Sequence, residues 1–264
     1  MRNFTLRGGK DANNLIDLTP SDYSYLTEFT GFEPIKADLF SQQIYNRDGA
    51  VFQSSKGQVR NIVLTIYLFR DVELNRQIIL NAFTPGEECT LEYRSSFLPS
   101  ATSLRRITGY VETIEFNRFE QPQRAKHVMQ IAITCFNPYF EGTRQIVNIT
   151  QSMASVTIDN SGTAPCDILI DFLQPYEPVS NLRVELSSGK YLELDFQDSP
   201  VTSQAIRINS QKHSITVGGR NRMQAWVLGS QWLTTTNSGE TLTWSEQFGH
   251  GWVTWIPQFY SAYD

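Results

Sequence analysis

Downstream of Gly142, segments suited to strands recur roughly every ten residues with turn signals between them, and none carries a helical apolar stripe. The signals are Asn160-Ser161-Gly162, Ser188-Gly189, Gly218-Gly219 and Ser238-Gly239. They separate short segments suited to strands: 144–149, 154–159, 166–173, 181–187, 191–196, 204–209, 213–217 and 252–259. This rhythm allows few architectures, and it predicts an all-β sandwich or jelly roll.

The preceding half is mixed. "NIVLTIYLF" (61–69) is apolar on both faces, as a strand covered on both sides requires. The period then changes. Asp71 is placed to cap a helix on which Leu74, Ile78, Ile79 and Ala82 form one broad apolar face, and Pro85-Gly86 ends it. "CTLEYR" (89–94) and "RRITGYVETIEFNRFE" (105–120) read as strands around a loop, "SSFLPSATS", with a bulge predicted at Gly109. "QPQRAK" (121–126) is a polar turn into "HVMQIAITCF" (127–136). There Met129, Ile131, Ile133 and Cys135 share a dry face, while Gln130 and Thr134 share the wet one.

The expected fold class is therefore mainly β, with an α+β domain over 1–138 holding one helix and an all-β sandwich over 139–264. At the junction, Asn137-Pro138 ends the strand and Gly142 lets the chain turn out. Tyr139 and Phe140 are expected to wedge between the domains. The first fifty residues mix aromatics with turn formers and keep no period. A segment of that kind calls for a cover, such as a neighbouring subunit.

Chemistry finds little support. Cys135 would need a base, yet His127 lies eight residues back on the same strand, roughly 25 Å away in extended geometry. Cys135, Cys89 and Cys166 read as structural, and three scattered cysteines make no disulfide framework. His127, His213 and His250 lack metal-ligand spacing, and "GHGW" (249–252) reads as a turn. Carboxylates such as Glu185, Glu193, Asp195 and Asp198 suit the polar faces of strands. "TVGGRNR" (216–222) is a basic hairpin with no helix after it to cradle phosphate. A net charge of −5 argues against tight nucleic-acid binding. No apolar leader and no membrane-length apolar run is present, so synthesis in the cytoplasm without a signal peptide, and no membrane partner, are expected.

All five tryptophans fall between 226 and 255. Two of them, Trp252 and Trp255, are candidate partner or glycan contacts, and they point to opposite faces of one strand. They leave a second reading open: a carbohydrate-binding adhesin that recognises host cell-wall glycan.

The order of features from about 58 to 175 resembles the distal tail protein family of siphophages, called Dit. In that family the first domain closes on Cys-x-(Asp/Asn)-Pro-(Tyr/Trp), here Cys135, Asn137, Pro138 and Tyr139. The second opens with a strand and Asn-x-Gly-(Thr/Ser)-Ala, here Asn160, Gly162, Thr163 and Ala164. The resemblance implies a structural virion protein and not an enzyme, with no cofactor or metal. It implies a homohexameric ring of N-terminal belt domains at the distal end of the tail tube. Its galectin-like C-terminal domains would project outwards. Expected partners are the tube protein and the tail-tip, baseplate and receptor-binding proteins, with DNA passing through the channel unread. Sugar-binding galectins use His-x-Asn-x-Arg, which "NRM" after Arg220 does not match.

Overall fold

The computed structural model describes residues 4–10, 15–19, 24–45, 48–95, 103–121, 124–151, 153–236 and 239–264. Most of the predicted loop "SSFLPSATS", the centre of the turn "QPQRAK" and Ser238 lie outside these residues. The chain divides into two compact units. The first is Met1–Gly142 together with Phe259–Asp264, and the second is Thr143–Gln258.

The first unit begins with β1 (Phe4–Gly9), β2 (Ile16–Asp17) and β3 (Ser24–Thr30), followed by β4 (Ala37–Gln43) and β5 (Ala50–Gly57). Then come β6 (Arg60–Leu68), α1 (Val72–Ala82), β7 (Glu88–Ser95), β8 (Leu104–Gln121), β9 (Arg124–Cys135) and β10 (Phe140–Glu141). One antiparallel sheet runs in the order β2-β1-β7-β8-β9-β6-β3, with β10 joined to β8. Its core takes every second residue of β6 (Ile62, Leu64, Ile66, Leu68) and of β9 (Met129, Ile131, Ile133, Cys135). The alternation seen in 127–136 is thus the dry face of a central strand.

Three local expectations are corrected. Gly109 pairs regularly with Cys89, and the bulge falls between Val111 and Thr113. A Cβ on Gly109 would sit 2.7 Å from both Cys135 Sγ and Ile133 Cγ2, so glycine there admits a neighbouring strand and not a kink. Asp71 precedes α1 in a left-handed conformation, φ 43°, without a side-chain cap bond. The first turn closes through Asn75 N–H to Asp71 O, at 2.9 Å. Within α1 the buried residues are Ile79 and Ala82, whereas Leu74 and Ile78 face out. The predicted apolar face is real, yet this chain covers only part of it.

The second unit holds β11 (Gln145–Thr150), β12 (Ser155–Ile158), β13 (Cys166–Pro175), β14 (Asn181–Leu186), β15 (Tyr191–Asp195) and β16 (Ile206–Asn209). After β17 (Ser214–Val217) and β18 (Arg220–Asn221) come β19 (Thr234–Thr235), β20 (Glu240–Trp244) and β21 (Phe248–Trp255). Two antiparallel sheets, β11-β21-β13-β16-β17-β18 and β12-β20-β14-β15, share one hydrophobic core. The inward residues of Val184, Leu192 and Leu242 on one sheet join Ile168, Ile170 and Val253 of the other. "GHGW" lies within β21 and not in a turn, with His250 opposite Leu173 of β13. β20 lies outside the expected strands, because its apolar residues are few and Ser/Gly-rich sequence leads into it.

After β21 the chain returns to the first unit through β22 (Gln258–Phe259), which pairs with β10.

Candidate assembly site

β4 and β5 pair as a separate two-stranded ribbon that, among the described residues, joins no other sheet. Every residue of β4 is exposed, as is every residue of β5 before Gly57. Cross-strand partners share a face, so the register assigns the side chains. Phe40 is opposite Ser54 and Val51 is opposite Gln42, which puts Phe40 and Val51 on one face. Ser41 is opposite Phe52, which puts Leu39 and Phe52 on the other. Leu39 is 71% exposed and Phe52 61%. Both faces are therefore apolar and neither is covered.

This arrangement is costly in water. Burying a large apolar side chain is worth about 1.5–3 kcal/mol, and a lone two-stranded hairpin is marginal at best. A ribbon resting on its own body would bury one face and make the other polar. An apolar ribbon open on both sides leaves that surface in water, and its unpaired edges invite pairing with another chain.

The root of the ribbon is firmly held. Gln58 N–H donates to Lys36 O at 2.9 Å, and Gln58 Nε2 donates to Asp38 Oδ1 at 2.6 Å. Next to it, the buried guanidinium of Arg60 donates to four backbone carbonyls. Nε reaches Pro138 O (2.7 Å), Nη1 reaches Gly31 O (2.6 Å) and Glu33 O (2.7 Å), and Nη2 reaches Tyr260 O (2.7 Å). The Phe140 ring lies beneath the group, 4.7 Å from centroid to Cζ. Burial lowers the Arg60 pKa, partly opposed by Cys135, Glu33 and Asp264. A concavity of about 470 Å³, lined by Thr30, Pro34, Ile35, Val59 and Arg60 among others, opens at this root.

The junction residues serve the same node. Asn137 Oδ1 accepts from Tyr139 N–H at 3.3 Å, and Pro138 supplies a carbonyl to Arg60. Tyr139 meets Tyr260 edge-on at 5.8 Å. Phe140 is fully buried in the core of the first unit. The second motif also has a physical role. Buried Asn160 donates to Ala164 O and Thr236 O, both at 3.0 Å, and accepts from Gly162 N–H at 3.0 Å. A Cβ on Gly162 would meet Gln258 O at 2.2 Å, so only glycine fits this latch.

The residues that suggested chemistry are dispersed. Cys135 and Cys89 are buried, and burial pushes each thiol up to about 12; Cys166 is raised to about 11, with Thr235 Oγ1 at 3.1 Å. His127 stacks on Phe116 and His213 on Trp232, whereas His250 is exposed on β21. Among the described residues, no three His, Cys, Asp or Glu side chains converge as a metal site. Trp255 is 4% exposed and its indole N–H donates to Asp159 O at 3.1 Å, so it is a core residue. Trp252 remains 36% exposed. No described helix is long and apolar enough to cross a membrane.

The thiols give a direct expectation. At about pH 8, an aromatic disulfide reagent should label none of the three cysteines until denaturant is added. The folded thiols hold their protons beyond the ordinary 9.0, so the stability they lend is intact below that value. It is lost as pH rises from about 9 towards 12. A chemical melt repeated at increasing pH reads this, and fast labelling of the folded protein at neutral pH would contradict it.

No family model and no curated protein matches the chain. Solved structures do. The Dit protein (gp 19.1) of phage SPP1, described as a paradigm of the hub adsorption apparatus in phages infecting Gram-positive bacteria, superposes with a TM-score of 0.71 at 16% identity. The match covers 97% of this chain and 99% of that one. The phage P2 baseplate in its activated conformation gives TM-scores of 0.51 with Ca and 0.50 with Sr, each at 9% identity over 96% of this chain and 97% of that one. The chain thus has the fold of a phage tail hub protein along its length.

Proposed function

We propose that this chain is a distal tail protein: a virion component that assembles into a homohexameric ring between the tail tube and the tip or baseplate proteins. The observation that carries the reading is the full-length likeness to the SPP1 hub, which spans both units and not one common module. The exposed ribbon supports it independently, since an apolar arm open on two sides requires neighbours. In this reading the first unit forms the belt, its ribbon arms clasp adjacent copies, and the galectin-like second unit projects outwards towards receptor-binding proteins. DNA leaves through the central channel, and a net charge of −5 suits a conduit that must not hold its cargo. The role is structural and needs no catalytic group.

Light scattering and negative-stain microscopy test the ring. The expected particle has about six times the 30.1 kDa of one chain. A strictly monomeric protein at high concentration sinks the reading. Phe40→Asp with Phe52→Asp, one charge on each ribbon face, should reduce the particle to single chains at micromolar concentration. The single chains should still melt cooperatively and keep the parent's far-ultraviolet dichroism, because neither side chain is buried in the first unit.

A further inference from the structure

We infer that the ribbon of one copy docks on the outward face of α1 in the next, giving a head-to-tail contact between two different surfaces of the same chain. The inference rests on the ring reading and names the surface that receives the arm. Its starting point is the incomplete cover of α1. Leu74, Gln77, Ile78 and Asn81 follow i, i+3, i+4, i+7 spacing and so share one face. All four are exposed, Leu74 at 60% and Ile78 at 43%. This is an apolar row flanked by amides, with no charge on it.

The ribbon has the matching character. Between Leu39 and Tyr45, and again between Gly49 and Ser55, it carries no charged residue; its polar groups are serines and the amides of Gln42, Gln43 and Gln53. Its charges sit at the root, Asp38 and Lys56, and at the tip. On α1, the charges Glu73 and Arg76 lie off the row and face each other at 3.7 Å, with Arg76 also over the Phe116 ring.

Addition of the ribbon to a free sheet edge is the competing arrangement. It would satisfy backbone groups but leave Leu74 and Ile78 of the helix row in water. Contact with the helix row removes apolar surface from both partners. The two surfaces differ, so the contact propagates from copy to copy and does not stop at a dimer, as a ring requires.

Paired cysteines test this in the full chain. Phe40→Cys and Phe52→Cys, one per ribbon face, are each combined with Ile78→Cys; the three native thiols are buried. Mild oxidation of at least one double variant should give a covalent ladder up to the full ring on a denaturing gel, while each single variant gives none. Dimers from a single ribbon variant would show a symmetric arm-to-arm contact and overturn the inference. Ring-sized particles without a ladder from either pair would also overturn it, and leave the ring itself standing. Particles of one-chain mass in every variant and in the parent would instead remove the ring reading. As a second readout, Leu74→Glu with Ile78→Glu should dissolve the ring while each released chain keeps the parent's far-ultraviolet dichroism and a cooperative melt; an intact ring would overturn the inference.

Discussion

Arg60→Met should destabilise the first unit by about 3–5 kcal/mol, a large share of the 5–15 kcal/mol that holds an ordinary domain together. The guanidinium ties together the loop before the ribbon (Gly31, Glu33), the junction turn (Pro138) and the returning segment (Tyr260). Methionine replaces its bulk but donates nothing, and each buried carbonyl left alone costs about 1–3 kcal/mol. The sum would exceed the expected loss. However, Arg60 lines an open concavity, and water entering there can pair some of the carbonyls. Arg60→Lys should recover only part of the loss, because an ammonium cannot reach carbonyls spread around a planar fork. Both variants should leave the second unit folded. The five tryptophans all lie within Thr143–Gln258, so indole fluorescence reports that unit alone. Urea melts followed by fluorescence and by far-ultraviolet dichroism should therefore separate in Arg60→Met and not in the parent. A coincident, unshifted pair of curves would remove Arg60 from its central role.

Ending the chain after Gln258 should have a still larger effect on the first unit, although the missing residues are the last six in the sequence. Phe259 is buried in that unit's core and packs under the Arg105 guanidinium at 3.4 Å. Ala262 is fully buried and its N–H donates to Phe32 O at 3.0 Å. Tyr263 meets Tyr93 edge-on at 5.8 Å, and Tyr260 O accepts from both Arg60 and Ile35 N–H. Loss of one buried aromatic alone costs about 3–5 kcal/mol. Leaving Arg60 and Arg105 short of acceptors adds to that, so the first unit should not fold at 25 °C while the indole emission stays native-like. Proteolysis followed by mass spectrometry should recover an intact second unit of residues near 143–258. Survival of the first unit instead would mean that these contacts contribute little.

What the sequence reveals depends on where each side chain finds its partner. Residues 127–136 alternate cleanly because β9 is central, with one face on the core of its own chain. β4 and β5 show no usable period although they are strands, because neither face of the ribbon is buried by this chain. Periodicity records burial within the chain, and a ribbon exposed on both faces leaves no alternation to read. The same logic explains α1. Its apolar face was visible in Leu74, Ile78, Ile79 and Ala82, but nothing in the order of residues separates the part covered by the sheet from the part left open. Arg60 illustrates a different limit. An arginine at the start of a strand looks like a surface residue, and its four acceptors come from segments up to two hundred residues away. The Cys135 and Asn160 motifs could be recognised as patterns, whereas the reasons for them, a strand pressed against Gly109 and a latch on Gln258, appear only in three dimensions.

The return of the chain at β22 also orders events during synthesis. The first unit is translated first, yet its sheet receives a closing strand and its core receives Phe259 only after Thr143–Gln258 has been made. A chain released before Phe259 therefore carries a first unit whose sheet and core are incomplete, whatever the state of the second.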